Sequence, residues 1–394
     1  MTPWTFTLIV LSWLVALAWV TRVLYWLFHI RQVANLLRAE YATAKAPRGK
    51  ISVVVPARNE VHSIRRCVES LLEIEGVELE ILAVDDRSTD GTGLMLDNLK
   101  VEAHAEGKQL QVMHITVLPA GWTGKAHAMS VAAAQATGEW LLFTDADVLF
   151  REDALRRALV YMEREKADHL VVMPTLICHT VGERMMMSFL FAMAIWGPRP
   201  WKVQDRESRD AIGVGAFNLV RRSAYDAIGG WESLRMEMVE DLRLAYVLKR
   251  AGFAARVAMG RNLVRIRWAK GAFGVMRNLT KNLFAVFRFR TGLMLAACCG
   301  IALLCLLPFC GLLDGLDLQI PSLLTLAALV LLYLSTSRNS GSNVLYLALF
   351  PVAATLFLLS MLRSTVLTQT RRGVMWRGTF YPVEELRKHA GPLR

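Results

Sequence analysis

What this chain has little of narrows its possible roles first. It holds six cysteines in 394 residues. Four of them, Cys298, Cys299, Cys305 and Cys310, sit inside an apolar stretch, and Cys67 and Cys178 are isolated. That excludes a disulfide framework and a thiolate metal centre, and it fits a reducing compartment. His62, His104, His114, His127, His169 and His179 are scattered without ligand spacing. No Walker loop is present: Gly121-Trp122-Thr123-Gly124-Lys125 lacks the full glycine spacing and the hydroxyl residue after lysine. No internal repeat or low-complexity tract occurs. Acid is missing from Arg261 to Arg290, where eight basic residues fall.

What is abundant is apolar surface. The chain is 54% hydrophobic, with a mean hydropathy of +0.34. Apolar residues concentrate at 4–28, 292–313, 320–334 and 344–362. A bilayer span needs about 20 residues, so 320–334 reads as short and open to a re-entrant course. The first stretch lacks a basic start and an Ala-x-Ala site. Arg22, Arg31, Arg38, Lys45, Arg48 and Lys50 follow it. It reads as an uncleaved span with its C-terminal side cytoplasmic.

The net charge of +12 is concentrated before the second apolar stretch. Arg277, Lys281 and Arg288 lie opposite Phe273, Met276, Leu279 and Leu283 on a helical pattern, the composition of an interfacial helix facing anionic headgroups. A membrane stretch follows directly, which disfavours nucleic acid as the partner. Three crossings after residue 290 would leave the tail outside. Arg363, Arg371, Arg372 and Arg377 argue for inside, and a cytoplasmic tail is preferred. The expected layout is a membrane helix at 1–30, a linker at 31–49 and a water-facing domain at 50–270. A basic interfacial helix at 271–290, membrane segments at 291–363 and a basic tail at 364–394 complete it. The expected location is a multi-pass protein of the inner (plasma) membrane.

The middle of the chain alternates strand and helix. "ISVVVPARNE" (51–60) is a β-branched run stopped by Pro56, and "VHSIRRCVESLLEIEG" (61–76) has helical spacing. "LEILAVDD" (79–86), "QVMHITV" (111–117) and "EWLLFTDADV" (139–148) read as strands, with helices after "RSTDGT" and "GWTGK". The pattern predicts an α/β fold with a mostly parallel sheet covered on both faces. Ligands bind such sheets at the carboxyl ends of the strands. The polar clusters fall there: Arg58-Asn59-Glu60, Asp85-Asp86 and Asp145-Ala146-Asp147.

Each cluster has an ordinary and a chemical reading. Asp-x-Asp is common in turns. Two carboxylates on one side of a strand would instead suit Mg²⁺ or Mn²⁺ with positions left for phosphate oxygens. Asp85 and Asp86 could cap the next helix. Ser88, Thr89 and Asp90 already supply caps, which leaves Asp86 for a base or ribose. Lys125 sits at a helix start, where free N–H groups and its charge suit a diphosphate. Glu240 and Asp241 open a helix, a common place for acids, and a carboxylate there could take the proton of an attacking hydroxyl. Arg267-Trp268 fits diphosphate and sugar stacking as well as it fits a membrane anchor. The apolar stretch 183–197 reads as packing on a membrane face or in a core.

Taken in order, "VVVPARNE", "VDDRSTDGT", "GWTGKAHA", "TDADV", "GGW" and "EDLRLAYVLKRAG" resemble family 2 glycosyltransferases of the GT-A fold over about residues 50–270. The flanking apolar stretches, "GWTGK" and "MWRGTFY" (375–381) are similar to a membrane-bound subgroup that includes hopanoid-associated and carotenoid glycosyltransferases and ceramide glucosyltransferase. The resemblance implies that Pro56, Arg58 and Glu60 line a donor nucleotide and that Asp86 contacts uracil or ribose. It also implies that Asp145 and Asp147 hold the metal, with Asp145 near the sugar, and that Asp241 is the general base. The reaction so implied is inverting transfer from a nucleotide sugar, a UDP-sugar, to a membrane lipid or isoprenoid-type acceptor. The alternatives are a processive polysaccharide synthase or an inactive membrane scaffold that keeps the fold. Processive members and ceramide glucosyltransferase carry Gln or Arg three residues before Arg-Trp. Here that window is Val264-Arg265-Ile266-Arg267-Trp268, which argues against a synthase and puts the diphosphate role of the segment in doubt.

Overall fold

The computed structural model describes residues 2–340 and 343–389. It comprises two compact units. A sheet unit holds Val33–Ile177 and Arg199–Arg267; a helical unit holds the chain up to Gln32, Cys178–Pro198 and Trp268–Arg387.

Eleven strands build the sheet unit: β1 (Ala34–Asn35), β2 (Lys50–Ala57), β3 (Glu78–Asp86), β4 (Leu110–Ile115), β5 (Trp140–Phe143), β6 (Val148–Phe150), β7 (His169–Met173), β8 (Thr175–Leu176), β9 (Asn218–Arg221), β10 (Ala255–Met259) and β11 (Val264–Ile266). Eight of them pair in the order β1-β10-β7-β9-β5-β2-β3-β4. Neighbours are parallel except around β9, which runs against both β5 and β7. The other three form a small sheet in the order β6-β11-β8. The expected α/β architecture with a mostly parallel sheet is therefore present.

Burial explains the pattern. Every residue of β2 after Lys50 is buried, as a strand covered on both faces requires. Side chains alternate across a strand, and β2 feeds two cores. Val53 and Val55 join Cys67, Val68 and Leu71 of helix Ile64–Leu72. Val54 joins Leu82, Val84, Ala126 and Met129 on the other face. Each such aliphatic burial contributes about 1.5–3 kcal/mol.

A buried polar network holds the amino-terminal end of the sheet. Glu80 accepts from Ser52 Oγ at 2.5 Å and Thr137 N at 2.6 Å, and pairs with Lys50 Nζ at 2.7 Å. Burial alone would raise the Glu80 carboxyl; Lys50, Ser52 and Thr137 more than offset it and hold it down to about 2.

Several expectations change. The fourth strand was expected to run to residue 148, but β5 stops at Phe143 and Asp145-Ala146-Asp147 lies in a turn before β6. Alternation along one strand therefore does not set the two carboxylates. The expected linker 31–49 contains β1, paired with β10 by Ala34↔Ala258; two residues leave no periodicity to read. The stretch 183–197 forms most of helix Val181–Ala194, closed by a Thr180–Glu183 capping box. It belongs to the helical unit and interrupts the expected 50–270 domain.

Among the described residues of the helical unit, four stretches are long and apolar enough to cross a membrane: Pro3–Gln32, Thr291–Leu313, Leu316–Thr336 and Val344–Arg371. The segment expected to be short, 320–334, is the middle of the 25-residue helix Leu316–Ser340; its polar ends hid its length. The break falls elsewhere. Helix Thr291–Cys305 stops after 15 residues, and Pro308 lies in the short turn of helix that follows. At 1.5 Å per residue it is about 22 Å long, against a hydrocarbon core of about 30 Å. It runs antiparallel to helix Phe350–Arg371. Gln369 Nε2 donates to Thr291 Oγ1 at 2.6 Å, and the Phe309 and Phe350 rings stack at 5.7 Å.

Candidate active site

The carboxyl ends of β2, β3 and β5 lie along one edge of the large sheet. Because β9 is antiparallel, with Phe143 opposite Asn218, its amino-terminal end reaches the same edge. The segment before it brings Gly215 against Asp145, where a Cβ would collide with Asp145 Oδ2.

The loops after β2 and β3 are stitched together. Asn59 N donates to Ser88 Oγ at 3.0 Å, and Thr89 N to Asn59 Oδ1 at 2.8 Å. Glu60 N donates to Thr92 Oγ1 at 2.8 Å, and Val61 N to Asp90 Oδ2 at 3.2 Å. Asn59 pays for this with a left-handed backbone, φ 56°. The Glu60 carboxylate turns back to Ser63 Oγ at 2.7 Å. Pro56 is buried within β2, one residue before its end.

Asp85 and Asp86 are adjacent on β3 and so face opposite ways. Asp85 accepts from Ser88 N at 3.2 Å and meets His114 Nδ1 at 3.4 Å, on the side of helix Thr92–Ala105. It is not brought to the acid cluster. Asp86 turns the other way. Arg87 grips it with Nε at 2.7 Å and Nη2 at 3.0 Å, and Arg58 Nη1 lies 3.8 Å away. A bidentate guanidinium fork thus orients Asp86. Gly124 closes this corner, since a Cβ there would collide with Asp86 Oδ2. The requirement for glycine in "GWTGK" is therefore close approach to Asp86.

Lys125 opens helix Gly124–Gln135. Its Nζ lies 2.6 Å from Asp145 Oδ1 and 2.6 Å from Glu240 Oε1. Both carboxylates are largely enclosed, Glu240 with 7% of its side chain exposed. The loop before Glu240 is tied to the lysine helix by Thr123 N donating to Arg235 O at 2.7 Å. Burial works against the lysine charge, but Asp145, Glu240 and Asp241 outweigh it and hold Lys125 above the usual lysine range. Asp241 follows Glu240 at the start of helix Glu240–Arg250 and keeps a partly exposed edge. Burial raises its carboxyl to about 7; Glu240 adds to the rise and Lys125 opposes it.

Ile266 pairs with Val148 in antiparallel register, and Arg267 and Asp147 are the residues next to that last pair. Trp268 lies just past the boundary, in the helical unit, where its carbonyl accepts from Asn278 Nδ2 at 2.7 Å.

Asp145 and Asp147 supply two hard carboxylates. Among the described residues no group of three or more His, Cys, Asp or Glu side chains is placed to hold a metal ion. Mg²⁺ commonly binds through one or two carboxylates plus phosphate oxygens and water. The pair therefore fits a divalent ion that arrives with a diphosphate, and it does not make a protein-only cage.

The sequence reading missed Arg87, Gly215 and His127. His127 follows Lys125 by two residues, its ring 5.4 Å from that of Trp122, and its Nδ1 is buried without a hydrogen-bond partner. Burial lowers its pKa, with the charge of Asp86 opposing. No spacing rule marks it; Arg87 was legible as the residue beside Asp86.

Residues 52–229 match the family model described as Glycosyl transferase family 2. The chain is 22% identical over 230 residues, 57% of its length, to a 4,4'-diaponeurosporenoate glycosyltransferase of Staphylococcus haemolyticus. It is 27% identical over 264 residues, 60% of its length, to a beta-monoglucosyldiacylglycerol synthase of Synechocystis. It spans 58% and 50% of the lengths of these two relatives. A mannosyltransferase from Pyrobaculum calidifontis, solved with GDP-Man and Mn²⁺, superposes with a TM-score of 0.50 at 19% identity, over 93% of this chain and 99% of that one. The sheet and the family match together identify a GT-A-like fold, with residues 52–229 matching glycosyl transferase family 2.

Proposed function

We propose that this protein is an inverting glycosyltransferase that moves one sugar from a nucleotide-sugar donor, a UDP-sugar, to the hydroxyl of a membrane lipid or isoprenoid-type acceptor. The observation that carries this is Asp241. It has a partly exposed edge beside the Lys125–Asp145–Glu240 cluster, and burial raises its pKa to about 7. A base whose pKa lies near the working pH combines availability with driving force.

The residues divide the work. Arg87 and Arg58 orient Asp86 toward the donor's base and ribose. Pro56 and Glu60 shape the same wall. Lys125 supplies a cation for the diphosphate, and Arg267 a second. A divalent ion, Mg²⁺ or Mn²⁺, held by Asp145 and Asp147 would neutralise diphosphate charge. Asp241 takes the acceptor proton while the hydroxyl attacks the anomeric carbon; the nucleoside diphosphate leaves with its bonding electrons. Glu240 holds Lys125.

The lipid acceptor rests on two supports. Both relatives named above carry a lipid in their names, and this chain has four membrane-length apolar stretches. We place the catalytic domain on the cytoplasmic side of the inner membrane, from the basic residues that flank the apolar segments. Val264 disfavours a processive synthase. The presence of Asp86, Asp145, Asp147 and Asp241 disfavours an inactive scaffold.

The test is incubation of the purified full chain with labelled UDP-sugars, Mn²⁺ and a total lipid extract, read by mass spectrometry of the lipids. One new glycolipid carrying a single sugar is expected. A polymer product, or donor binding without transfer or hydrolysis for any nucleotide sugar, would overturn the reading.

A further inference from the structure

The helical unit carries a second charge cluster that the transfer reaction does not use. A cavity of about 140 Å³ is bounded by helix Gly271–Val286, the last turns of helix Phe350–Arg371 and the strand that starts at Gly373. Arg277 and Lys281 enter from the first helix, one turn apart. Arg363 and Arg371 enter from the second, two turns apart. Thr280 and Thr368 add hydroxyls. Among the described residues no acid lines the space, and Arg277, Arg363 and Arg371 bring three guanidiniums to it. Arginine and lysine together offer the donors that phosphate oxygens take. Since one water occupies about 30 Å³ of liquid, the volume holds a phosphate group.

The walls are fixed by hydrogen bonds between the helices. Phe284 N donates to Ser364 Oγ at 3.1 Å, and Gln369 Nε2 to Thr291 Oγ1 at 2.6 Å. Val275, Met276, Leu279 and Phe284 are buried on the first helix. The cations are thus presented by packed helices.

The position supplies the second observation. Thr291 begins one membrane-length apolar stretch and Arg371 ends another. The cavity lies at the polar ends of both, the depth of phospholipid headgroups. On the same two helices, Leu362, Val366 and Val286 are 40%, 56% and 42% exposed, apolar surface on which acyl chains could lie. We propose that this cavity binds the phosphate of an anionic membrane phospholipid, independently of the sugar-transfer site.

The experiment uses the full chain in detergent, exposed to phosphatidylcholine vesicles with or without phosphatidylglycerol and read by native mass spectrometry. One retained phosphatidylglycerol is expected per wild-type chain. Arg277→Gln with Arg363→Gln should cut that occupancy roughly tenfold or more, as loss of two headgroup charges implies. Arg277→Lys with Arg363→Lys should restore most of it, which separates lost binding from lost folding. Arg66→Gln with Lys100→Gln removes the same charge from exposed positions of the sheet unit and should leave retention unchanged. Equal loss in both charge-matched Gln pairs, or no loss in the cavity pair, would overturn the proposal. So would displacement of the lipid by millimolar inorganic phosphate as readily as by added phosphatidylglycerol.

Discussion

The ammonium of Lys125 lies 2.6 Å from Asp145 Oδ1 and shares the same distance with Glu240. One buried cation thereby joins the sheet edge to the helix that starts with Glu240 and Asp241. Removing one partner of such a pair leaves the others uncompensated. Lys125→Met removes the charge that holds Asp241 down, so Asp241 should titrate higher than in wild type. Glu240→Gln removes a charge that pushes it up, so Asp241 should titrate lower. Transfer needs ionised Asp241, and kcat/KM should rise with pH through about 7, lying about tenfold below its plateau near pH 6. Measured pH–rate profiles should shift in opposite directions for the two variants; shifts in the same direction would count against the linkage.

Arg87 forks onto Asp86 at 2.7 and 3.0 Å. Arg87→Ala frees a carboxylate that is then poorly oriented and repels the diphosphate. UDP affinity should fall roughly tenfold or more by calorimetry, in line with loss of a charge-assisted pair, while kcat falls less. Unaltered affinity would detach Asp86 from nucleotide recognition.

Metal dependence follows from the donor count. With two carboxylates and no third acid or imidazole in reach among the described residues, Mn²⁺ alone should bind weakly. UDP should tighten it markedly, and Asp145→Ala should abolish the mutual effect. Titration of Mn²⁺ with and without UDP checks this. Tight Mn²⁺ binding to the nucleotide-free protein would contradict it.

Glu80 offers a stability test away from the site. Its pKa is about 2 in the folded chain against 4.5 when exposed. A depressed carboxylate contributes stability above the unfolded value and loses it as pH falls toward the folded one. Glu80→Gln should therefore cost about 2–3 kcal/mol at pH 7. The difference from wild type should shrink between about pH 4.5 and 2. Denaturant unfolding at several pH values checks it.

How much of this was legible beforehand depended on the range of the interaction. The β-branched runs of β2 and β3 and the helical spacing of 64–71 are local, and they predicted the parallel sheet and its polar edge. The end of β5 was misplaced because "LLFTDADVLF" stays apolar across a turn, with Val148 and Phe150 buried in a different sheet. Asp145, Asp241 and Lys125 could be singled out from sequence. Their meeting could not, because it depends on the reversed strand β9 and on the Thr123–Arg235 bond. Helix Val181–Ala194 was recognisable as apolar all round, but not as part of a different unit.

The helix ends give a topology prediction. Three crossings between Thr291 and Gln369 would set these residues on opposite sides of a membrane, yet their side chains share a hydrogen bond. The crossings between them should number an even count. Reporter fusions after Arg290 and after Arg394 should then report the same side. Opposite sides would contradict the packing.

The most direct measurement is sugar transfer by Asp241→Asn beside UDP binding by the same variant. The substitution keeps size and removes the base, which contributes typically 10²–10⁴-fold to such a step. Transfer to lipid should fall by at least about a hundredfold while UDP and Mn²⁺ bind as in wild type. Turnover near the wild-type rate would contradict the assignment of Asp241 and, with it, the account of this site.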